Sequence, residues 1–155
     1  MENVLLLIFD ILNFGLLVFV WRFTIKNYTA LPDTIPVHFD FDGKADRFGN
    51  RKYFYLMPAV LTVVYFAFAI IVRIPESANY PVPVTAENED AQFLIMKIFI
   101  RWIFLLVTLL FFNSQDYMFR YSFNETAKPR VPFSAMLFSI IGSMIVLFIF
   151  IGVFK

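Results

Sequence analysis

The chain has 155 residues, 60% of them apolar and 22 of them Phe, with a net charge of +1 and a mean hydropathy of +0.72. So short a chain cannot hide that much apolar surface in a soluble fold, where about 45–50% is typical, and the same composition excludes intrinsic disorder. The absence of Cys excludes disulfides and thiolate chemistry, the single His excludes an HExxH pair, and the small net charge excludes a field for nucleic acid.

Four stretches reach or approach the roughly 20 apolar residues that cross a bilayer core. The first is Val4 to Phe23, closed by the interfacial Trp21 and by Arg22. It lacks a basic start and a small-residue cleavage pattern, which predicts a retained helix and not a signal peptide. A loop of about 30 residues follows. Its pattern LPDTIPVHFDFDGKADRFGNRK, Leu31 to Lys52, reads as folded. Pro32-Asp33 favours a turn and Pro36 drives Ile35 to an extended conformation. Val37, Phe39 and Phe41 alternate with His38, Asp40 and Asp42, the period of a strand with one apolar face. Asp42-Gly43 and Gly49-Asn50 are turn signals.

The second span runs from about Phe54 to Val72 and closes on Arg73, with Pro58 in its first turns. Ile74 to Thr85 holds three prolines and reads as an extended connection. Thr85 is the N-cap candidate for a long third helix starting near Ala86, with Glu87, Glu89 and Asp90 in its first turns. Its membrane half is placed at about residues 94–113, and Asn113, Ser114, Gln115 and Asp116 make its far end polar. The fourth span is Phe133 to Phe154, with Lys155 behind it. The fold class is therefore an all-α membrane protein, one domain over residues 1–155, with four transmembrane helices and a short folded loop at 28–53 between the first two.

The charge balance leaves the orientation open. Arg73, Lys97, Arg101 and Lys155 lie on one side; Arg22, Lys26, Lys44, Arg47, Arg51, Lys52, Arg120, Lys128 and Arg130 lie on the other. The excess places the first loop in the cytoplasm, but four of those cations sit inside the loop motif.

Leu31, Pro32, Ile35, Pro36, His38, Phe39, Gly43, Asp46, Gly49 and Lys52 resemble the motif of a bacterial membrane domain of unknown function. That domain also stands at the front of the immunity protein against the sporulation-delaying toxin (the SdpI type). Asn79 to Asn88, NYPVPVTAEN, resembles four-span members of the same family. The resemblance implies a small helical bundle with a structured loop, set in the bacterial cytoplasmic membrane. For immunity-type members it implies a role in toxin immunity or in sensing through a membrane partner.

Three groups of residues carry candidate chemistry. His38, Asp40, Asp42, Asp46 and Arg47 form a loop surface for a ligand or partner. Within it, His38, Asp42 and Asp46 are the residues a divalent metal would use; alternatively His38 bonds backbone groups and the carboxylates are solvated or cap turns. Asp10 lies inside the first span with Asn13 on the same face. A charge there costs about 2.5–3.5 kcal/mol on insertion scales, so it calls for a partner. Counting helical rise from the shared side of the membrane, Arg101 reaches the depth of Asp10 at about 10 Å, with Lys97 the alternative. Ala135, Ser139 and Ser143, beside Gly142, make a row of small residues for packing within the chain or for a homodimer through span four.

An enzyme is hard to build from these parts. A Ser-His-acid site has only His38 to use, the five Gly residues make no phosphate loop, and Asp10 has no second Asp at its depth. The expected function is a non-catalytic membrane protein whose loop 31–52 binds a peptide toxin or another membrane protein, with no cofactor and no nucleic acid. The alternative is a small ion- or proton-coupled carrier using Asp10, Asn13 and Arg101.

Overall fold

The computed structural model describes residues 2–40 and 42–153. Four helices carry the chain: α1 (Glu2–Tyr28), α2 (Leu56–Ile71), α3 (Glu89–Tyr121) and α4 (Phe133–Val153). A hairpin of two antiparallel strands, β1 (Thr34–Phe39) and β2 (Ala45–Asn50), and a 3-10 helix (Arg51–Tyr55) fill the connection from α1 to α2. All four helices are long and apolar enough to cross a membrane, the 3-10 turn counting with α2.

Cross-helix bonds give the directions. Asp10 meets Arg101 and Thr24 meets Gln115, positions 14 residues apart on both α1 and α3, so these two helices run parallel and in register. Trp21 donates to Thr62 at 3.0 Å and Phe14 lies against Tyr65, so α2 runs antiparallel to α1. Tyr117 packs on Phe133 while Trp102 donates to Ser143 at 2.8 Å. That is 15 residues along α3 against 10 along α4, so α4 crosses α3 obliquely and stands apart from the other helices. The bundle is up-down-up-down. The hairpin and the 122–132 connection share one side, and the 72–88 connection lies on the other.

Two apolar clusters hold the bundle. Leu17, Val20 and Leu61 pack with Val107, Phe111 and Phe112 in the membrane layer. Leu31, Ile35, Phe54 and Met118 form the second, under the hairpin. Apolar side chains cover most of the outer surface, as expected where lipid is the solvent. Ser139 and Ser143 bond their own helix at i−4, and Ser143 is bridged to Trp102, so part of the small-residue row packs within the chain.

Several boundaries differ from the sequence reading. The strand is β1 at 34–39 and not 37–42, and Phe41 and the end of span four at Phe154 and Lys155 lie outside the described residues. Gly49-Asn50 is no turn: both residues belong to β2, which has no alternating pattern to announce it. Gly49 serves close approach instead, since a Cβ there would stand 3.1 Å from Tyr53 and 3.2 Å from Val37. Helix α3 starts at Glu89, because Thr85 to Asn88 forms a turn in which the Asn88 carboxamide accepts the Thr85 N–H. Beyond the membrane half at 94–113 the helix runs on to Tyr121, and Asn113, Gln115 and Asp116 in this polar end are buried.

The hairpin tip turns where the Asp-Gly pair predicts. Gly43 sits at φ 79° and its N–H bonds the Asp40 carbonyl at 3.0 Å. A side chain is strained at that φ, so Gly43→Ala should destabilise the protein by about 1–2 kcal/mol in detergent unfolding with unchanged helix content; no loss of stability would show that the tip relaxes freely.

Candidate functional site

Two polar sites are built into the bundle, one in the membrane layer and one at the hairpin. In the first, Arg101 donates from Nε to Asp10 Oδ1 at 2.7 Å and from Nη2 to Oδ2 at 3.1 Å, a two-pronged ion pair. Its Nη1 donates to the Lys97 carbonyl at 3.0 Å. One turn along α1, the Asn13 carboxamide donates to the Arg101 carbonyl at 3.0 Å. Both the backbone and the side chain of Arg101 are therefore tied to α1. Asp10 lies eight residues past Glu2, about 12 Å along the helix. The Arg101 side chain is 13% exposed and that of Asp10 52%, so the carboxylate forms the outer half of the pair. A cavity of about 40 Å³ lies beside them, walled by Tyr65, Phe68 and Phe104. This geometry pins two helices together, with all three guanidinium nitrogens engaged, and does not favour the carrier reading. Lys97 contributes a carbonyl and no ion pair among the described residues.

The second site starts from the far end of α3. The Tyr117 hydroxyl donates to the Gly43 carbonyl, and the Ala45 N–H donates to the Tyr121 hydroxyl at 3.3 Å. The Phe39 ring lies against both tyrosines, with centroids 4.5 and 5.3 Å away. The inner face of the hairpin is thus clamped to α3. The base of the hairpin is closed by Arg51, which donates to the Leu31 carbonyl at 3.2 Å, pairs with Asp33 at 3.3 Å and stacks over Tyr28.

The outer face carries the predicted loop residues. His38 Nδ1 stands 2.5 Å from Asp46 Oδ1, and His38 faces Arg47 across the ladder, where the register slips on both sides of His38. Asp40 Oδ1 accepts the Lys44 N–H at 2.8 Å and so serves the turn. Asp42 is exposed at the tip, and Arg47 and Phe48 are exposed on β2. Of His38, Asp42 and Asp46, only His38 and Asp46 meet, and no group of three or more His, Asp or Glu side chains among the described residues is placed to hold a metal.

Sequence reasoning missed the polar run on α3. Asp116 is 5% exposed and accepts from Arg120 at 2.8 Å and from Arg130 at 2.9 Å. Asn113 both donates to and accepts from the Val131 backbone, at 2.9 and 3.1 Å. Gln115 donates to Thr24 and to the Phe54 carbonyl, joining α3 to α1 and to the 3-10 turn. The spacing of Asp116 and Arg120, four residues apart, is the one local signal of this network.

Residues 15–62 match the family model of a domain of unknown function (DUF1648). That stretch runs from the middle of α1 through the hairpin into the first turns of α2, so it contains the outer hairpin face and its base. An uncharacterized protein of Archaeoglobus fulgidus is 33% identical over 78 residues, 45% of this chain and 43% of that protein. The match therefore spans less than half the length of that relative. No solved structure matches the chain. The chain is a multi-pass membrane protein carrying a domain of unknown function.

If Asp10 and Arg101 stabilise one another in the membrane layer, Asp10→Ala and Arg101→Ala should each destabilise the folded protein, and the double variant should lose less than their sum. A coupling of about 0.5–3 kcal/mol in a detergent unfolding cycle is expected; independent losses would show that the pair contributes nothing as a pair.

Proposed function

We propose that the chain is a non-catalytic protein of the bacterial cytoplasmic membrane whose outer hairpin face binds a partner, a peptide toxin or another membrane protein. One observation carries this reading: the hairpin is fixed on one face by Tyr117, Tyr121 and Phe39 and bare on the other. The exposed surface of the hairpin presents an imidazole–carboxylate pair, and Arg47 and the half-exposed Phe48 stand on β2 beside it. A rigid scaffold presenting mixed polar and aromatic groups suits recognition, because little ordering is needed on binding. The resemblance of the loop motif to SdpI-type immunity proteins supports a peptide toxin as the partner. A homodimer through α4 remains part of the proposal, since the outer face of that helix is apolar and faces no other helix of the chain.

The reading predicts a phenotype that is specific to the outer face. A strain lacking the protein should be several-fold more sensitive to added membrane-active peptide toxins. Wild type should restore resistance, while Arg47→Glu with Phe48→Ala should not, although that variant folds with wild-type helix content and accumulates in the membrane. Full rescue by the variant, or no sensitivity in the deletion strain, would contradict the proposal.

A further inference from the structure

Where the hairpin meets α2, a groove of about 480 Å³ opens on the surface, lined by Asn50, Lys52, Tyr53, Tyr55, Leu56 and Ala59. Its two ends differ in chemistry. Lys52 and Asn50 stand at the hairpin end, where α2 leaves the membrane. Leu56 and Ala59 stand on α2 itself, and from them the exposed apolar stripe Val60, Val63 and Phe66 continues down the helix.

The two consecutive basic residues here have different fates. Arg51 is engaged inside the protein by Asp33, the Leu31 carbonyl and the Tyr28 ring. Lys52 makes no ion pair among the described residues and is exposed. Its backbone is nonetheless fixed, because the Asn50 carboxamide accepts the Lys52 N–H at 2.9 Å and starts the 3-10 turn. An exposed lysine on a fixed backbone, without an ion pair among the described residues, stands above an apolar track and is flanked by two tyrosines at the water boundary; this complements a molecule with an anionic head and a hydrocarbon tail.

We infer that this groove binds an anionic phospholipid, with the phosphate at Lys52 and an acyl chain along Leu56, Ala59 and the α2 stripe. The charge of the whole side favours the same ligand: nine Lys and Arg residues stand there against Asp33, Asp40, Asp42, Asp46, Asp116 and Glu125. The site is separate from the outer hairpin face proposed above to bind a partner, and either can fail without the other.

Trp21 reports on the groove, since its ring lies 6.4 Å from that of Tyr55. The test uses the full chain with Trp102→Phe, in nanodiscs of phosphatidylcholine containing a brominated lipid. Brominated phosphatidylglycerol should quench Trp21 at about fivefold lower mole fraction than brominated phosphatidylcholine, the effect of one lysine at an anionic surface. Lys52→Gln should remove the difference. Equal quenching by the two lipids, or a preference that survives Lys52→Gln, would overturn the proposal. So would displacement of the preference by millimolar inorganic phosphate, which would make the groove a phosphate site and not a lipid site. Native mass spectrometry of the unsubstituted protein gives the same comparison without relying on the Trp102 variant: retained phosphatidylglycerol is expected, and none over phosphatidylcholine would count against it.

Discussion

Helix α3 is longer than a bilayer is thick, and its excess length positions the hairpin, the 3-10 turn and the 122–132 connection. Its 33 residues extend about 50 Å, against roughly 30 Å of hydrocarbon. The surplus stands beyond the membrane as a post, in which Asn113, Gln115, Asp116, Tyr117 and Tyr121 are buried. Gln115 holds α1 and the 3-10 turn, Asn113 and Asp116 hold the 122–132 connection, and Tyr117 and Tyr121 hold the hairpin. Buried polar groups without partners are costly, so each of these bonds fixes its partner's position as well as its own. The bare outer face of the hairpin is a consequence, because the inner face is fully engaged with the post.

Two carboxylate pairs of similar chemistry have different standing because their surroundings differ. Asp10–Arg101 lies in the membrane layer, where separated charges would each be costly, so the pair serves assembly of α1 with α3. His38–Asp46 is exposed to water, where such a pair contributes little to stability. A pair that adds little to folding is free to take part in recognition. The groove at Lys52 follows the same logic, since the Asn50 side chain fixes the Lys52 backbone and the lysine side chain makes no ion pair among the described residues.

The spans, the Asp-Gly turn and the depth match of Asp10 with Arg101 were legible in the sequence because each rests on local pattern or on helical rise. What was not legible depended on partners far along the chain. Asn113 to Asp116 read only as a polar stretch of α3, because nothing nearby in sequence shows that Val131, Arg130 and Phe54 come to meet them. The strand β2, Ala-Asp-Arg-Phe-Gly-Asn, has no alternation, because it lies at the surface and its position is set by pairing with β1. Asp42 looked equivalent to Asp46 as a ligand, but the register slips flanking His38 bring Asp46 alone to the imidazole.

The end of α3 holds the hairpin, and amide hydrogen exchange of the purified protein in detergent reads that attachment residue by residue. In wild type, the amides of residues 34–50 that bond across the ladder should exchange slowly. In the double variant Tyr121→Phe and Tyr117→Phe, two hydrogen bonds are lost, and exchange there should rise roughly tenfold while α1 and α2 stay unchanged. Hairpin exchange that is fast in wild type, or unaltered by the two substitutions, would mean that the two tyrosines do not hold the hairpin.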